Sequence, residues 1–403
     1  MKLWEKGIAL DKRIEAFTVG NDYRLDRALV KYDCRASIAH ARMLCRIGIL
    51  TKGELRKMIA ELESIRALDA KGKFTIAPEQ EDCHTAIENH LTKKLGQLGK
   101  KIHTARSRND QVLAALRLYY KDEIDAVTAQ AGGLIAALET FEKKHGNVVL
   151  PGYTHMRKAM PSSFGIWAQA FEDSLKDTLI LINAVRGLID QSPLGSGAGY
   201  GVPLNVNREY TSQLCGFGCV QKNSLYVQNS RGKFEWLILH VLSQVMLDIN
   251  KMASDLMLFS MDEVGYVALP GELCTGSSMM PHKKNPDVLE LLRAQYHVVL
   301  SLEFQTASLV GNLISGYHRD LQLLKEPVMK AFHTVRECLA ITHLVIMKLQ
   351  VHEENCKRAM TDELYATEKA YRLVKKGVPF RDAYRKTKRR TKAKEGGKQQ
   401  AAL

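Results

Sequence analysis

The 403-residue sequence lacks several features that define particular classes of protein. No stretch reaches the ~18 apolar residues that a membrane-spanning helix requires, and the opening Met-Lys-Leu-Trp-Glu-Lys-Gly contains no apolar signal segment. The eight cysteines are scattered, and only Cys215 and Cys219 stand close together, so we expect reduced thiols and no metal site. These absences predict a cytoplasmic protein without a membrane partner.

Proline and aromatic residues are also scarce, which leaves long stretches free to be helical. The chain has ten prolines, and aromatic residues make up 7% of it. From Lys233 to Ser260 neither glycine nor proline occurs, and apolar residues recur at spacings of three and four, which predicts a long helix in a bundle. Similar helices are predicted over Asp110 to Lys144, Ser162 to Ile189 and Asp287 to Leu309.

No alternation of strands and helices and no glycine-rich phosphate loop is apparent, so the predicted fold class is all-α. Shorter helices are predicted near the N-terminus, where Thr51 and Glu54 have the spacing of a capping box. We expect three domains: residues 1–105 and 106–352, the second containing a loop at 270–286, and a C-terminal domain at 353–403.

The formal net charge of +14 raises the possibility of nucleic-acid binding. From Arg385 to Lys398 there are eight basic residues and one acid, so this tail contributes 8 − 1 = +7 of the total. A short basic tail of this composition is usually disordered and solvated. We therefore predict a disordered tail from about residue 385 and no nucleic-acid partner.

The most informative stretch is residues 276–290, Gly-Ser-Ser-Met-Met-Pro-His-Lys-Lys-Asn-Pro-Asp-Val-Leu-Glu. Its first half predicts a mobile loop that carries Ser277, and its second half begins a helix, where Pro286 suits the first turn. Lys283, Asn285 and the free N–H groups of the helix start favour binding of a carboxylate. Chemistry beside a carboxylate under a closing loop is one interpretation; a basic surface loop with an ordinary helix cap is the other.

Two further stretches place polar residues next to long predicted helices. His103 to Gln111 reads His-Thr-Ala-Arg-Ser-Arg-Asn-Asp-Gln, in which Arg106 and Arg108 could each bind a carboxylate through paired hydrogen bonds. A salt-bridged helix start is the alternative. Thr154 and His155 follow Pro-Gly-Tyr in a predicted turn, where the histidine is a candidate acid or base.

Two more stretches contain candidate binding residues that are ambiguous on their own. His84 lies in Glu-Asp-Cys-His-Thr, next to acidic residues. Tyr317 opens the stretch Tyr-His-Arg-Asp-Leu-Gln-Leu-Leu-Lys, in which Gln322 and Lys325 stand three apart and can share a helix face.

Together these strings resemble one enzyme superfamily. Residues 276–286 are similar to the Gly-Ser-Ser-x-Met-Pro-x-Lys-x-Asn-Pro signature of fumarases and aspartases. Residues 103–111, Gly-Tyr-Thr-His, Pro-Leu-Gly-Ser-Gly-Ala (193–198) and Asp-Leu-Gln (320–322) resemble the argininosuccinate lyase and δ-crystallin branch. The resemblance covers roughly residues 1–382. It implies a three-domain, all-α fold with a central bundle of long helices that assembles into a tetramer.

The resemblance implies cleavage of argininosuccinate to arginine and fumarate, a step of arginine biosynthesis, without a cofactor or metal. Loss of a proton next to a carboxylate requires a base, an oxyanion pocket and an acid at the leaving nitrogen. By motif position Ser277 and His155 are the acid–base pair, in either order, and the remaining catalytic positions are Lys283 and Glu290, the latter as partner of the histidine. The substrate-binding positions implied by the motifs are Thr18, His84, Ser107, Arg108, Asn109, Thr154, Asn285, Tyr317, Gln322 and Lys325.

The resemblance further implies a homotetramer whose active sites each draw residues from three subunits. The sequence departs from the family pattern near Thr18, in Ser230-Arg-Gly-Lys, which lacks the usual acid after the arginine, and at Lys386-Thr-Lys-Arg-Arg, where we expect a shortened C-terminal domain. Two alternatives stay open: another fumarate-releasing lyase of the superfamily, disfavoured by residues 106–111, and a structural protein on the same scaffold, as δ-crystallins are.

Overall fold

The computed structural model describes residues 10–388, which group into two compact units. Unit 1 comprises residues 10–129, 178–245 and 297–336, and unit 2 comprises residues 130–177, 246–296 and 337–388. Each unit is therefore built from three separate parts of the chain. The three predicted domains are instead consecutive stretches of the chain, and that division stays a prediction.

Helices dominate the described residues, which confirms the all-α prediction. The helices are α1 Lys12–Val19, α2 Asp22–Leu25, α3 Val30–Arg46, α4 Lys52–Ala70, α5 Cys83–Leu95, α6 Gln97–Lys100, α7 Arg108–His145, α8 Phe164–Ile189, α9 Arg208–Cys215, α10 Ser224–Asn229, α11 Lys233–Phe259, α12 Asp287–Leu309, α13 Lys325–Lys348, α14 Glu353–Ala359 and α15 Ala366–Val374. The four long helices predicted from the sequence correspond to α7, α8, α11 and α12. Helix α7 continues unbroken through Gly132 and Gly133, although glycine disfavours a helix interior by about 1 kcal/mol.

The strands are short and form four pairs. These are β1 Val149–Thr154 with β2 Arg157–Ser163, β3 Gln191–Ser192 with β4 Cys219–Val220, β5 Val267–Ala268 with β8 Gln350–Val351, and β6 Thr275–Gly276 with β7 Lys284–Asn285. The pair β1–β2 corrects the sequence-based prediction of a turn followed by a helix from Ser162. Ser162 and Ser163 instead pair with Leu150 and Val149 at the open end of an antiparallel hairpin.

Side-chain caps fix several helix starts, as the sequence pattern indicates. The Thr51 hydroxyl accepts from Glu54 N–H at 3.2 Å, and Glu54 Oε2 accepts from Thr51 N–H at 2.8 Å, which confirms the predicted capping box of α4. Asp82 caps α5 by accepting from Thr85 N–H at 2.8 Å. These caps satisfy N–H groups that have no partner inside the helix.

Each unit has an aromatic core of its own. In unit 1 the rings of Tyr32, Tyr119, Tyr120 and Phe332 contact one another at centroid distances of 5.8–6.2 Å. In unit 2 the ring of Phe164 meets Phe141, Trp167 and Phe259 in edge-on contacts at 5.6, 6.2 and 6.2 Å. Edge-to-face contacts add to the hydrophobic stabilisation of such clusters.

The basic C-terminal segment is only partly described. Residues 380–388 are helical, so the prediction of disorder from about residue 385 is wrong for residues 385–388. The rest of the predicted tail, residues 389–403, lies outside the described residues. Of the helices described, none combines the length and the apolar character needed to cross a membrane.

Removal of the Thr51 cap tests the account of α4. We expect Thr51→Ala to destabilise the helix start by about 1 kcal/mol, because Glu54 N–H loses its acceptor. Hydrogen–deuterium exchange should show faster exchange confined to the first turn of α4. The control, Thr51→Ser, keeps the hydroxyl and should exchange like the unmodified protein; equal exchange in Thr51→Ala would refute the cap.

Candidate functional site

Unit 1 contains a pocket that brings together six of the predicted substrate-binding residues. Those residues are His84, Arg108, Asn109, Tyr317, Gln322 and Lys325. They come from three parts of the chain: the first turn of α5, the first turn of α7, and the segment that leads into α13. His84, Arg108, Asn109 and Lys325 lie in the first turns of their helices, where the free N–H groups contribute positive potential.

Lys325, the first residue of α13, is held by two acids from the N-terminal part of the chain. Its ammonium group donates to Asp26 Oδ1 at 2.5 Å and lies 3.2 Å from Asp22 Oδ1, and its side chain is only 5% exposed. Burial lowers the pKa of Lys325, but the two carboxylates more than offset this and raise it above its ordinary value. Lys325 is therefore a charged residue whose charge the protein already balances.

Arg108 is balanced in the same way. Its guanidinium group donates to Glu81 Oε2 at 3.0 Å and to Thr85 Oγ1 at 2.6 Å, and its Nε lies 3.1 Å from Asp82 Oδ2. The sequence suggested that Arg106 and Arg108 both bind carboxylates. Arg108 binds carboxylates of the protein itself, and Arg106 is buried with its Nη1 donating to Ser37 Oγ, so it does not line the pocket.

His84 is paired with a buried acid behind the pocket wall. Its Nδ1 lies 2.9 Å from Asp33 Oδ2, and Gln111 Nε2 donates to both oxygens of the same carboxylate at 3.1 Å. Burial alone lowers the pKa of His84, yet the Asp33 carboxylate raises it above its ordinary value of 6.5. The same pair lowers the pKa of Asp33 against the effect of burial. The geometry favours an imidazolium–carboxylate pair.

Asp110 connects the start of α7 to the glycine-rich segment 193–198. Its Oδ1 accepts from Ser107 N–H, and its Oδ2 accepts from the N–H groups of Gly195 and Gly197, each at 3.0 Å. Burial raises the pKa of Asp110 to about 6, although these N–H groups oppose the shift. The Ser107 hydroxyl accepts from Asn109 N–H at 3.2 Å, so this predicted binding residue caps α7.

The hydroxyl of Thr18 is bonded within its own helix. Its hydroxyl donates to the carbonyls of Ile14 and Glu15 in its own helix, at 2.9 and 3.1 Å. Its carbonyl accepts from Gln322 Nε2 at 3.0 Å and from Arg319 Nη2 at 2.8 Å. Val19, not Thr18, lines the pocket. The substrate-binding role of Thr18 stays a prediction.

Sequence reasoning missed several residues of the pocket wall. Asp22, Asp26, Arg231 and Glu235 line it, and none belongs to a motif that carried the resemblance. One signal was present for Arg231, because Ser230-Arg-Gly-Lys departs from the family pattern. Asp22 ends the stretch Phe17-Thr-Val-Gly-Asn-Asp22, where the sequence departs from the family pattern, and no sequence signal marks Asp26. Both residues contact Lys325 across about 300 residues of chain.

One group of potential metal ligands lies beside the pocket, in the described part of unit 1. Asp26, Cys83 and His84 offer ligand atoms within 4.8 Å of one another. Both Asp26 oxygens are already acceptors, from Lys325 Nζ and from Cys83 N–H, and His84 Nδ1 is paired with Asp33. An ammonium group at hydrogen-bond distance would repel a cation, so these residues do not fit a metal ion.

Unit 2 contains the loop that carries Ser277. The pairing of β6 with β7 makes residues 277–283 a hairpin loop on a ladder two residues long. The Ser277 hydroxyl oxygen accepts from the N–H groups of Met280 and Met279 at 3.0 and 3.3 Å, and Asn285 Nδ2 donates to Gly276 O at 3.3 Å. Thr275 Oγ1 donates to Asp287 at the start of α12. The loop is thus fixed at its base and exposed at its tip.

Thr154 and His155 lie at the closed end of the β1–β2 hairpin. Thr154 pairs with Arg157, so His155 and Met156 form the two-residue turn, with φ angles of 52° and 58°. Turns of this type favour glycine, asparagine and aspartate, because other residues are strained at positive φ. A histidine held there, with an exposed side chain, is the kind of strain that accumulates at functional sites.

The other predicted catalytic residues of unit 2, Lys283 and Glu290, have exposed side chains. In the part of the chain that the structure describes, no hydrogen bond or ion pair joins Glu290 to His155, or His155 to Ser277. Their predicted roles therefore stay predictions. All four predicted catalytic residues lie in unit 2; His155, Lys283 and Glu290 are exposed, and Ser277 is partly buried.

Comparison with known proteins defines the class. A family model described as a lyase matches residues 5–300. The structure of an EDDS lyase in complex with formate superposes with a TM-score of 0.78 at 24% identity, covering 97% of this chain and 78% of that one. A fumarate lyase/δ-crystallin protein from Brucella melitensis gives 0.77 at 18%, covering 96% and 87%. At these identities the likeness shows the fold alone, which this chain shares with these lyases.

Sequence identity then narrows the class. The argininosuccinate lyase of Thermotoga neapolitana is 54% identical over 384 residues, which cover 95% of this chain and 96% of that protein. The chain therefore belongs to the argininosuccinate lyase family, as the motifs implied, and the alternative of another fumarate-releasing lyase is not supported.

The His84–Asp33 pair predicts a pH dependence of stability. Because the folded-state pKa of His84 is raised, its contribution is fully present below about pH 6.5 and is lost as the pH rises through the folded-state value. We expect the melting temperature to decline above pH 6.5 more steeply, by roughly 2 °C or more, than that of His84→Gln, which lacks the titrating group. Parallel curves for the two proteins would contradict the ion pair.

Proposed function

We propose that this protein cleaves argininosuccinate to L-arginine and fumarate by acid–base β-elimination. The observation that carries the proposal is the 54% identity, over 95% of the chain, to an argininosuccinate lyase. The pocket of unit 1 supports it, because six residues predicted from lyase motifs line one cavity. Its mixture of carboxylates and cations suits a substrate that carries ammonium, guanidinium and carboxylate groups.

The reaction removes a proton from the carbon next to a carboxylate and expels a guanidinium nitrogen. The developing negative charge on that carboxylate has to be stabilised by donors that are already oriented. We infer that Lys283, Asn285 and the start of α12 supply this stabilisation. All three lie within residues 283–287, in and beside β7, and Asn285 is anchored by its bond to Gly276 O.

We assign the proton transfers to Ser277 and His155. The N–H groups of Met279 and Met280 point at the Ser277 oxygen, and donors in that position favour the deprotonated hydroxyl. The imidazole of His155 is exposed, and an imidazole can both accept and donate a proton. Either residue can be the base in this scheme, with the other as the acid, and the loop 277–283 closes over the substrate.

We further propose that the protein functions as a homotetramer, in which each active site draws residues from three subunits. The long helices support this, because they leave large apolar side chains exposed. Examples are Ile180 on α8, Phe304 on α12 and Met347 on α13, which are 68%, 76% and 52% exposed. A soluble monomer rarely leaves such patches uncovered. Assembly would bring residues of different subunits into one site.

Fumarate release tests the reaction. The unmodified protein should release fumarate from argininosuccinate, measured by ultraviolet absorbance, and should be inactive towards adenylosuccinate and aspartate. Ser277→Ala should lower the rate by about 10²- to 10⁴-fold, because one proton-transfer group is lost. The matched control is Ser278→Ala, on the same loop, which should stay close to the unmodified rate.

The outcomes separate the candidate functions. Activity that survives in Ser277→Ala would remove the serine from the mechanism while leaving the reaction in place. A tetrameric protein inactive towards all three substrates would favour the structural role that δ-crystallins exemplify.

A charge placed on the exposed apolar surface tests the assembly. We expect Phe304→Glu to shift the protein from tetramer to smaller species, measured by light scattering after size-exclusion chromatography, and to lose activity with it. The desolvation of a carboxylate in an apolar interface opposes association. Phe304→Leu keeps the surface apolar and should remain tetrameric. A tetrameric, active Phe304→Glu protein would exclude this surface from the interface.

A further inference from the structure

Arg231 is a buried cation of the unit 1 pocket that differs from Lys325 and Arg108 in its partners. Lys325 is balanced by Asp22 and Asp26, and Arg108 by Glu81 and Asp82. Arg231 lines the same pocket and is only 8% exposed, yet no carboxylate within the described residues lies at ion-pair distance from it. Its Nη1 is buried without a hydrogen-bond partner. A buried, unpaired guanidinium is costly, so its persistence calls for an explanation.

An aromatic contact orients Arg231 without neutralising it. Its guanidinium carbon lies 5.1 Å from the ring centroid of Tyr317, a predicted substrate-binding residue. An aromatic face holds the plane of a guanidinium group but accepts none of its hydrogen bonds. The donors of Arg231 are thus preoriented in the pocket wall beside Tyr317 and left without acceptors.

The nearest acid in the sequence, Glu235, is engaged elsewhere. Its Oε2 accepts from Gly232 N–H at 2.7 Å. Gly232 has a φ of 80°, and a Cβ there would stand 1.9 Å from Val310 Cγ1, so this position admits only glycine without rearrangement. Arg117, the neighbouring buried arginine, donates to Gln191 O and Ser230 Oγ, at 2.7 and 3.1 Å. This local arrangement leaves Arg231 as the buried cation still available to a ligand.

We propose that Arg231 binds a carboxylate group of the substrate through paired N–H···O bonds, with Tyr317 holding the guanidinium in plane. The inference rests on the proposed function, because argininosuccinate supplies the carboxylates. A planar, permanently charged fork matches a carboxylate better than an ammonium group does. The substrate carboxylate would thereby neutralise the charge of Arg231, for which the described residues supply no carboxylate partner.

Steady-state kinetics test the assignment. Arg231→Gln should raise the KM for argininosuccinate by about ten- to hundredfold, with a much smaller change in kcat, because the lost bonds hold the bound substrate before and during reaction. Arg231→Lys keeps the charge but loses the fork and should fall between the two proteins. An unchanged KM in Arg231→Gln, with the unmodified protein active, would overturn the inference alone.

Binding and stability measurements separate this role from a structural one. Without ligand, Arg231→Gln should melt at or above the temperature of the unmodified protein, because an unpaired buried charge is removed. Arg117→Gln, the matched control, should melt lower, because two bonded donors are lost. Argininosuccinate, succinate and L-arginine are then added as probes, and argininamide tests whether the arginine carboxylate is the group that Arg231 binds.

The thermal shifts decide the remaining cases. If Arg231 binds a substrate carboxylate, the rise in melting temperature produced by argininosuccinate, and by succinate or L-arginine, is lost in Arg231→Gln. Undiminished shifts with all probes would overturn this inference. So would lower stability and a dissociated tetramer with intact binding, since Arg231 would then pair with another subunit. An unmodified protein that neither reacts with argininosuccinate nor is stabilised by it would overturn the proposed function as well.

Discussion

The pocket of unit 1 depends on one buried ion cluster, the ammonium group of Lys325 between Asp26 and Asp22. Asp26 also accepts from Cys83 N–H at 3.0 Å, so this carboxylate joins the N-terminal part of the chain, the start of α5 and the start of α13. Breaking such a pair leaves a buried charge uncompensated, at a cost of about 3–5 kcal/mol. The cluster therefore fixes three chain segments, which are 57 and 299 residues apart from Asp26 along the chain, around one cavity.

The cations that line the pocket of unit 1 differ in whether protein carboxylates lie next to them. Arg108 and Lys325, which the motifs predict to bind substrate, each pair with two protein carboxylates. Both side chains therefore help to hold the pocket wall together. They can still contact a ligand, but the net attraction that they offer to an anion is reduced. The charge of Arg231 is not reduced in this way. The distinction arises from which carboxylates lie nearby, and composition or motif spacing does not reveal it.

Much of the fold could be predicted from local sequence pattern. The long helices follow from the absence of glycine and proline in α11 and from regular apolar spacing, and the α4 cap follows from two residues three apart. A turn at His155 could be predicted, but the two strands of the β1–β2 hairpin could not, because β1 contains Pro151 and Gly152 and β2 contains Pro161, which are disfavoured in strands. Local propensity there is overruled by the surrounding structure.

In the site, too, motifs revealed the residues but not the partners that lie far away along the chain. Motifs identified residues near helix starts, where chemistry and capping use the same side chains, as in Ser107. They did not identify Asp22, Asp26 or Arg231, whose importance comes from partners far along the chain or from the lack of one. Lys325 shows the limit most clearly, because its position in a motif predicted a role towards substrate and gave no sign of its two carboxylate partners.

The backbone strain at His155 and the unpaired charge of Arg231 have one property in common, which is that each costs free energy in the folded protein. Each residue is held in a state that is unfavourable for the isolated chain: a non-glycine residue at positive φ in one case, and a buried cation without an acceptor in the other. Such states persist only where surrounding contacts impose them. In an enzyme this cost is offset when a ligand arrives, because groups that are already oriented and desolvated need no rearrangement during the reaction. We therefore expect a cost in stability at the two places where we propose proton transfer and substrate binding.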